Sequence, residues 1–296
     1  MRHHHERNQK WRALLLSAPA LLWLAVLFLV PLGTILSVSF LSTGEFGGME
    51  RPVTLSSYQR VLGFGVFGWE PTYPLIIGRS LLLAASTMLL CLVLGFPLAF
   101  FIAGLSPRLK TAALILVVIP LWTNLLVRTY AWQLLLSPGS WLADAASALG
   151  MMQPGEGLYP GTIAVMAGLV CDYLPFLVLP LYASVEKIDW TLAESARDLG
   201  ASGWRLFRHA ILPQILPGTA AGITLVFVPA SGQFVISDLL GGAKTVLLGN
   251  VIQQQFGSSR DWPFGSALAA VGMLVVLGAL WLQGCVARRK QAVETK

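Results

Sequence analysis

Apolar residues in this chain come in long uninterrupted blocks and do not alternate with polar ones. Six blocks stand out, at about residues 13–40, 78–104, 111–136, 162–185, 217–237 and 266–286. A helix needs roughly 20 consecutive apolar residues to cross the hydrocarbon core of a bilayer. The pattern therefore predicts an all-α membrane protein with six transmembrane helices. The polar segments between the blocks differ in kind. Residues 41–77, 137–161 and 239–265 are rich in turn residues such as Gly47-Gly48, Arg51-Pro52 and Pro138-Gly139, the punctuation of irregular loops. Residues 191–213 instead form a polar stretch with helical periodicity.

That stretch predicts a helix-turn-helix. Thr191 and Glu194 have the spacing of a capping box, which starts a helix near Leu192. Gly200 falls where a left-handed residue closes a helix, and Ser202 is placed to cap a second helix running to Pro213. Leu192, Ala196 and Leu199 share one side of the first helix, while Glu194, Arg197 and Asp198 point elsewhere. Such a helix suits a groove on a partner. On these features alone it equally suits packing against its own chain.

Composition supports the membrane class. Mean hydropathy is +0.70 and only 11% of residues are charged, against roughly 25% in soluble domains. The basic residues set the orientation. With the N-terminus inside, 14 of the 20 Lys and Arg fall on cytoplasmic segments, as the positive-inside rule requires. The tails and the 191–213 hairpin are thereby expected in the cytoplasm, and the three turn-rich loops outside, where they could cap the molecule and receive a periplasmic partner. The net charge of +6 is accounted for by topology. No interleaving of aromatic and basic residues points to nucleic acid. The first block is too long for a cleaved signal peptide and has no A-x-A-like end, so it reads as an uncleaved anchor.

Little in the chain suggests catalysis. Cys91, Cys171 and Cys285 are isolated within or at the end of spans, which argues against a disulfide framework or a metal cluster. His3, His4 and His5 lie in a basic tail, and His209 stands alone. The LLGGAKT string at 239–245 resembles the end of a phosphate-binding loop, but Asp238 and Ala243 occupy its glycine positions. No catalytic residue, bound cofactor or metal is expected on this chain.

The spans carry a few residues that need explaining. Asp172 lies inside the fourth, where a charge costs roughly 2.5–3.5 kcal/mol at the helix centre on insertion scales. Either it faces a watery path and meets a cation, or it pairs with a basic residue such as Arg128. The third span is unusually polar and aromatic, with Trp122, Asn124, Arg128, Tyr130, Trp132 and Gln133. An interfacial belt is one account; a path for an amine is the other, because aromatic faces attract cations. Tyr173, beside Asp172, joins the candidate path; Asp238, at the outer end of the fifth span, either adds an entrance charge to it or merely ends that helix. Gly218 and Gly222 form a G-x-x-x-G that permits close helix packing.

Glu194-Ser195-Ala196, three residues, Gly200, and then Leu212-Pro213 resemble the EAA loop of ABC importer permeases. Ser195 and Ala210 stand where that pattern usually has Ala and Ile. The strings at 120–132, 173–189, 192–202 and 237–267 are similar to the polyamine branch of that family, and the likeness covers nearly the whole chain from the first span onward. It implies the type I importer permease fold, as one permease domain over 13–286 with tails 1–12 and 287–296. It also implies a coupling loop at 189–213, in which Leu192, Glu194, Ser195, Ala196, Leu199, Gly200, Leu212 and Pro213 meet an ATPase. The implied partners are a second permease chain, two ATPase subunits that carry ATP and Mg, and a periplasmic binding protein, all at a bacterial inner membrane. The implied cargo is spermidine or putrescine, although relatives for opines, iron or phosphonates share the scaffold. An ion-coupled carrier or channel is the rival from another class, with Asp172 and Arg128 as its gating pair; such a protein needs no docking hairpin.

Overall fold

Long apolar blocks leave the backbone no polar partners except its own, so helices dominate. The computed structural model describes residues 2–44, 48–65, 68–150, 153, 155–242 and 245–294, with side chains described only between 17 and 285. The chain forms two compact units, one of residues 1–71 with 254–271 and one of residues 72–253 with 272–296.

The first unit begins with α1 (Arg2–Val38). Two small hairpins follow, β1 (Leu41–Thr43) with β2 (Met49–Val53), and β3 (Phe64–Gly65) with β4 (Gly68–Trp69), and α2 (Ser56–Val61) lies between them. The side chains of α1 from Ser17 to Val38 form a window with mean hydropathy 2.4, none of it buried within the chain. A helix that is apolar and uncovered along this length requires lipid or another protein around it. Asp261 holds the rest of the unit together. Its carboxylate accepts bonds from Thr43 Oγ1 at 2.6 Å, Arg60 Nη1 at 2.8 Å and the Phe264 amide at 3.2 Å. The Arg60 guanidinium also lies 4.0 Å from the centroid of the Phe264 ring.

The second unit holds α3 (Thr72–Ala103), α4 (Pro107–Trp122), α5 (Leu125–Leu136), α6 (Trp141–Ala148), α7 (Thr162–Val185), α8 (Trp190–Asp198), α9 (Gly203–Leu206) and α10 (Leu212–Gly232). Helix α11 (Leu248–Phe256) begins in this unit and ends in the first, and α12 (Trp262–Glu294) passes from the first into the second. Helix α7 is the centre, packed against α3 and α10, with Leu169, Leu177, Val178 and Leu181 fully buried. Lipid tails are as apolar as leucine, so close contact must come from small residues. Gly218 and Gly222 serve that need: a Cβ at Gly222 would come within 3.1 Å of the Leu177 carbonyl, and one at Gly218 would overlap Ser184 and the Pro180 carbonyl.

Two predicted segments take a different form. Residues 111–136 are not one continuous helix. Helices α4 and α5 meet at Thr123-Asn124 with a bend of 96°, because Asn124 turns its side chain to cap α5 by accepting the Leu126 amide at 2.8 Å. The fifth span also shifts. Residues Gly203–Gly232 form one continuous helical run, and Ser237 and Asp238 lie beyond it on a separate π-helical turn, Ser237–Gly241. Among the described residues, five helices are long and apolar enough to cross a membrane, or six if the bent pair counts as one.

Candidate functional site

The hairpin begins two residues earlier than its capping pattern predicts. Asp189, not Thr191, is the N-cap: its carboxylate accepts the Thr191 amide at 3.0 Å and the Thr191 hydroxyl at 2.6 Å. Those bonds hold the Asp189 carboxyl below the usual carboxylate range, the hydroxyl bond contributing most. A carboxylate at this point also favours the positive end of the helix. Gly200 has φ of +80°, the left-handed turn that closes α8. Ser202 is the N-cap residue of α9 but makes no side-chain capping bond.

Pro213 does not end the second helix. A π-helical turn at Phe207–Ile211 lies just before it, and the Leu212 amide reaches back to the Phe207 carbonyl. The widened turn shifts the register where proline removes a donor, the local adjustment by which apolar helices tolerate proline. The hairpin and α10 are therefore mechanically continuous. Movement at residues 203–206 has a stiff route into the packed core.

The faces of α8 are also not as the periodicity suggests. Ala193 is buried and Ala196 partly so, whereas Leu192 is 53% exposed and Leu199 89%. Trp204, on α9, is 70% exposed and stacks on Phe207 with centroids 5.8 Å apart. Glu194 and Ser195 are exposed, and Leu212 and Pro213 half-buried. The small residues of α8 thus face the chain's own fold, and the large apolar ones face outward. Leu192 on α8 and Leu199 at its C-cap are thus left uncovered by the rest of the chain.

A second site lies at the break between α4 and α5. Arg128, at the fourth position of α5, pairs through Nη2 with Asp172 Oδ1 on α7. Its Nη1 donates to the Pro120 carbonyl and to Thr123 Oγ1, the latter at 3.3 Å. One guanidinium therefore ties the end of α4, the start of α5 and the middle of α7. It also sits at the C-terminal, negative end of α4, where a cation is favoured. Both members are largely buried, with side-chain exposures of 15% and 10%. Tyr173 is buried next to Asp172, its ring 6.2 Å from that of Phe176.

The remaining candidate path residues do not converge on this pair. Trp122 is 81% exposed and Tyr130 52%, and Asn124 is engaged in its cap. Asp238 is exposed on the π-helical turn and accepts a bond from Asn250 Nδ2. Asn250, not singled out by the sequence, organises this region from inside. It also accepts from Ser237 Oγ at 2.5 Å and the Leu247 amide at 3.0 Å, and donates to the Phe234 carbonyl at 3.1 Å. A lone Asn in a polar loop gives no signal of such centrality. Elsewhere, a cavity of about 390 Å³ lined by Arg79, Ser86, Thr162, Met166, Thr245 and Leu247 carries a guanidinium and no carboxylate.

A family model described as the binding-protein-dependent transport system inner membrane component matches residues 92–291. The chain belongs to this family. The permease is 40% identical over 260 residues to the spermidine/putrescine transport system permease protein PotB of Escherichia coli K12, covering 88% of this chain and 92% of that one. It is 38% identical over 258 residues to the protein of the same description from Haemophilus influenzae, covering 87% of each. Its fold is similar to a chain in the crystal structure of a bacterial ABC transporter involved in import of the acidic polysaccharide alginate. There the TM-score is 0.72 with 16% sequence identity, over 98% of this chain and 99% of the other. The permease is thus the membrane-spanning, non-catalytic component of an ABC importer, and it shares the type I fold of that transporter. The segment matched by the family takes in both the α8–α9 hairpin and the Arg128–Asp172 pair.

Proposed function

We propose that this permease forms one half of the translocation path of an ATP-driven importer for a polyamine, spermidine or putrescine or both. The observation that carries this reading is the 40% identity to a spermidine/putrescine permease across 88% of the chain. Asp172 is paired with Arg128 in this structure, and a cationic cargo is the kind of solute that could take the place of that partner beside a buried carboxylate. In this reading of one permease domain over 13–286, Arg128 and Tyr173 lie beside Asp172, while Trp122, Asn124, Tyr130 and Asp238 flank the path away from that pair. The exposed faces of Trp122 and Tyr130 belong against the second permease chain, which supplies the other half.

The α8–α9 hairpin is the coupling element. Leu192, Leu199 and Trp204 enter a groove on an ATPase subunit, with Glu194 and Ser195 at its edge, while Ala196, Leu212 and Pro213 lie on the side packed against the chain itself. ATP and Mg act on that partner, one ATPase beneath each permease, and a periplasmic binding protein delivers the cargo from the opposite side. The tails and hairpin face the cytoplasm, in accord with the distribution of Lys and Arg. Closure of the ATPase pair moves α8 and α9 as a rigid body, and the unbroken run from α9 into α10 transmits the movement to the α3–α7–α10 core.

Uptake of labelled spermidine into cells lacking this chain, with its partner subunits and other polyamine carriers accounted for, tests the cargo. Loss of uptake on deletion and recovery on re-expression are expected. Unchanged spermidine uptake, with loss of some other solute, contradicts the polyamine reading while leaving the permease assignment intact.

A further inference from the structure

We infer that Asp172 is a cation-binding carboxylate held occupied by Arg128 in the cargo-free state, and that an ammonium group of the cargo enters by displacing that guanidinium. The inference rests on the polyamine reading and gives it a residue-level mechanism.

Three observations carry it. Among the described residues, Arg128 is the one ion-pair partner of Asp172. A buried carboxylate left without its cation is strongly destabilising, so whatever moves Arg128 away must bring positive charge of its own. An ammonium does so; a neutral solute or an anion does not. The pair is therefore a charge filter built into the path.

Arg128, for its part, has somewhere to go. Its Nη1 is already anchored to the Pro120 carbonyl and the Thr123 hydroxyl, and its Nε is buried without a partner among the described residues. A guanidinium released from Asp172 keeps its place at the negative end of α4 and does not become a stranded charge. The exchange thus replaces one cation at Asp172 by another and leaves each charge with a partner.

Displacement also has a mechanical consequence. Arg128 ties the α4–α5 break to α7, and the break is bent by 96° with only Thr123 and Asn124 between the helices. Lys110 and Glu186, 3.0 Å apart, fix the other end of α4 to the far end of α7. Losing the Arg128 tie releases the bent joint from α7, with Arg128 still bridging α4 and α5, while α4 stays hinged at its start. Cargo binding and the release of this joint become one event, which is the differential contact between two states that coupling requires. Return of Arg128 to Asp172 then expels the cargo.

The test uses the complete importer in proteoliposomes, with KM and turnover for spermidine measured separately. Arg128→Gln removes the resident competitor, so KM falls several-fold; it also removes the cation that drives release, so turnover drops by about tenfold. Added guanidinium ion should restore turnover in R128Q and raise its KM towards wild type, a rescue that a purely structural arginine would not show. Arg128→Lys should lie between the two. Asp172→Asn should abolish cargo-stimulated ATP hydrolysis. The double variant R128Q/D172N leaves no unpaired charge and serves if R128Q fails to assemble: it too must lose the cargo response. An assembled R128Q with unchanged or raised KM, or a double variant with wild-type KM, overturns the inference. Wild-type complexes that move no polyamine overturn the cargo reading itself, before any variant is compared.

Discussion

Lys110 Nζ on α4 lies 3.0 Å from Glu186 Oε1, one residue past the end of α7, and 6.0 Å from the centroid of the Tyr182 ring. The Tyr182 hydroxyl and then the Lys110 ammonium hold the Glu186 carboxyl below the ordinary carboxylate range. A carboxyl whose folded pKa is depressed adds stability above its unfolded pKa of about 4.3. That contribution disappears as pH falls through the lower, folded value. The melting temperature of the detergent-solubilised importer should therefore be lower for Glu186→Gln than for wild type at neutral pH, and the gap should close below about pH 4. Because the carboxyl is exposed, the gap should be small and should shrink with added salt. A gap that persists unchanged at acid pH would show that Glu186 acts through something other than its charge.

Gly218 is a point of close approach between α10 and α7. An added Cβ would overlap Ser184 and the Pro180 carbonyl, and a backbone carbonyl cannot swing aside. Gly218→Val should destabilise the fold by about 1–3 kcal/mol or more through overpacking. It should be seen as a lower melting temperature and a lower yield of assembled complex. Gly278, which has nothing within 4 Å of its added Cβ, should accept Ala with neither effect.

Gly200 sets the angle between α8 and α9. Its φ of +80° disfavours L residues, yet nothing lies within 4 Å of an added Cβ, so a substitution meets backbone strain and no clash. Strain of about 1–2 kcal/mol is too little to prevent insertion but enough to re-aim an exposed two-helix element. Gly200→Val should cut ATP-driven uptake by about tenfold or more with normal membrane levels, as expected of a lost coupling free energy. Gly200→Asn, which tolerates the left-handed region, should retain most uptake. Equal losses in both variants would argue against the turn as the reason.

The parts of this molecule that were legible in the sequence are those governed by one dominant force. The apolar block at 162–185 coincides with α7, because lipid and packing both demand an apolar helix of that length. The turn at Gly200 was legible because few residues other than glycine sit comfortably at positive φ. The pairing of Arg128 with Asp172 was one of two options the sequence left open, and packing of α5 against α7 brings the two together in this structure.

Other features depend on competition between local groups. Thr191 has the spacing of a cap, but a carboxylate two residues earlier is the better acceptor, and Asp189 takes both the amide and the hydroxyl of Thr191. Pro213 reads as a helix stop, and a π-helical turn carries the chain past it. Thr123 and Asn124 read as polar residues within a span, whereas Asn124 caps a new helix and breaks the old one. Asn250 gave no warning, since its importance lies in four bonds to residues up to 16 positions away.

The most direct test of the account is ATP-driven uptake of labelled spermidine by proteoliposomes carrying this permease with its full set of partner subunits. Parallel samples would lack the ATPase or contain excess unlabelled putrescine. Uptake should require ATP and the ATPase and fall when putrescine is added. Uptake that persists without the ATPase, driven by an ion gradient, would contradict the account.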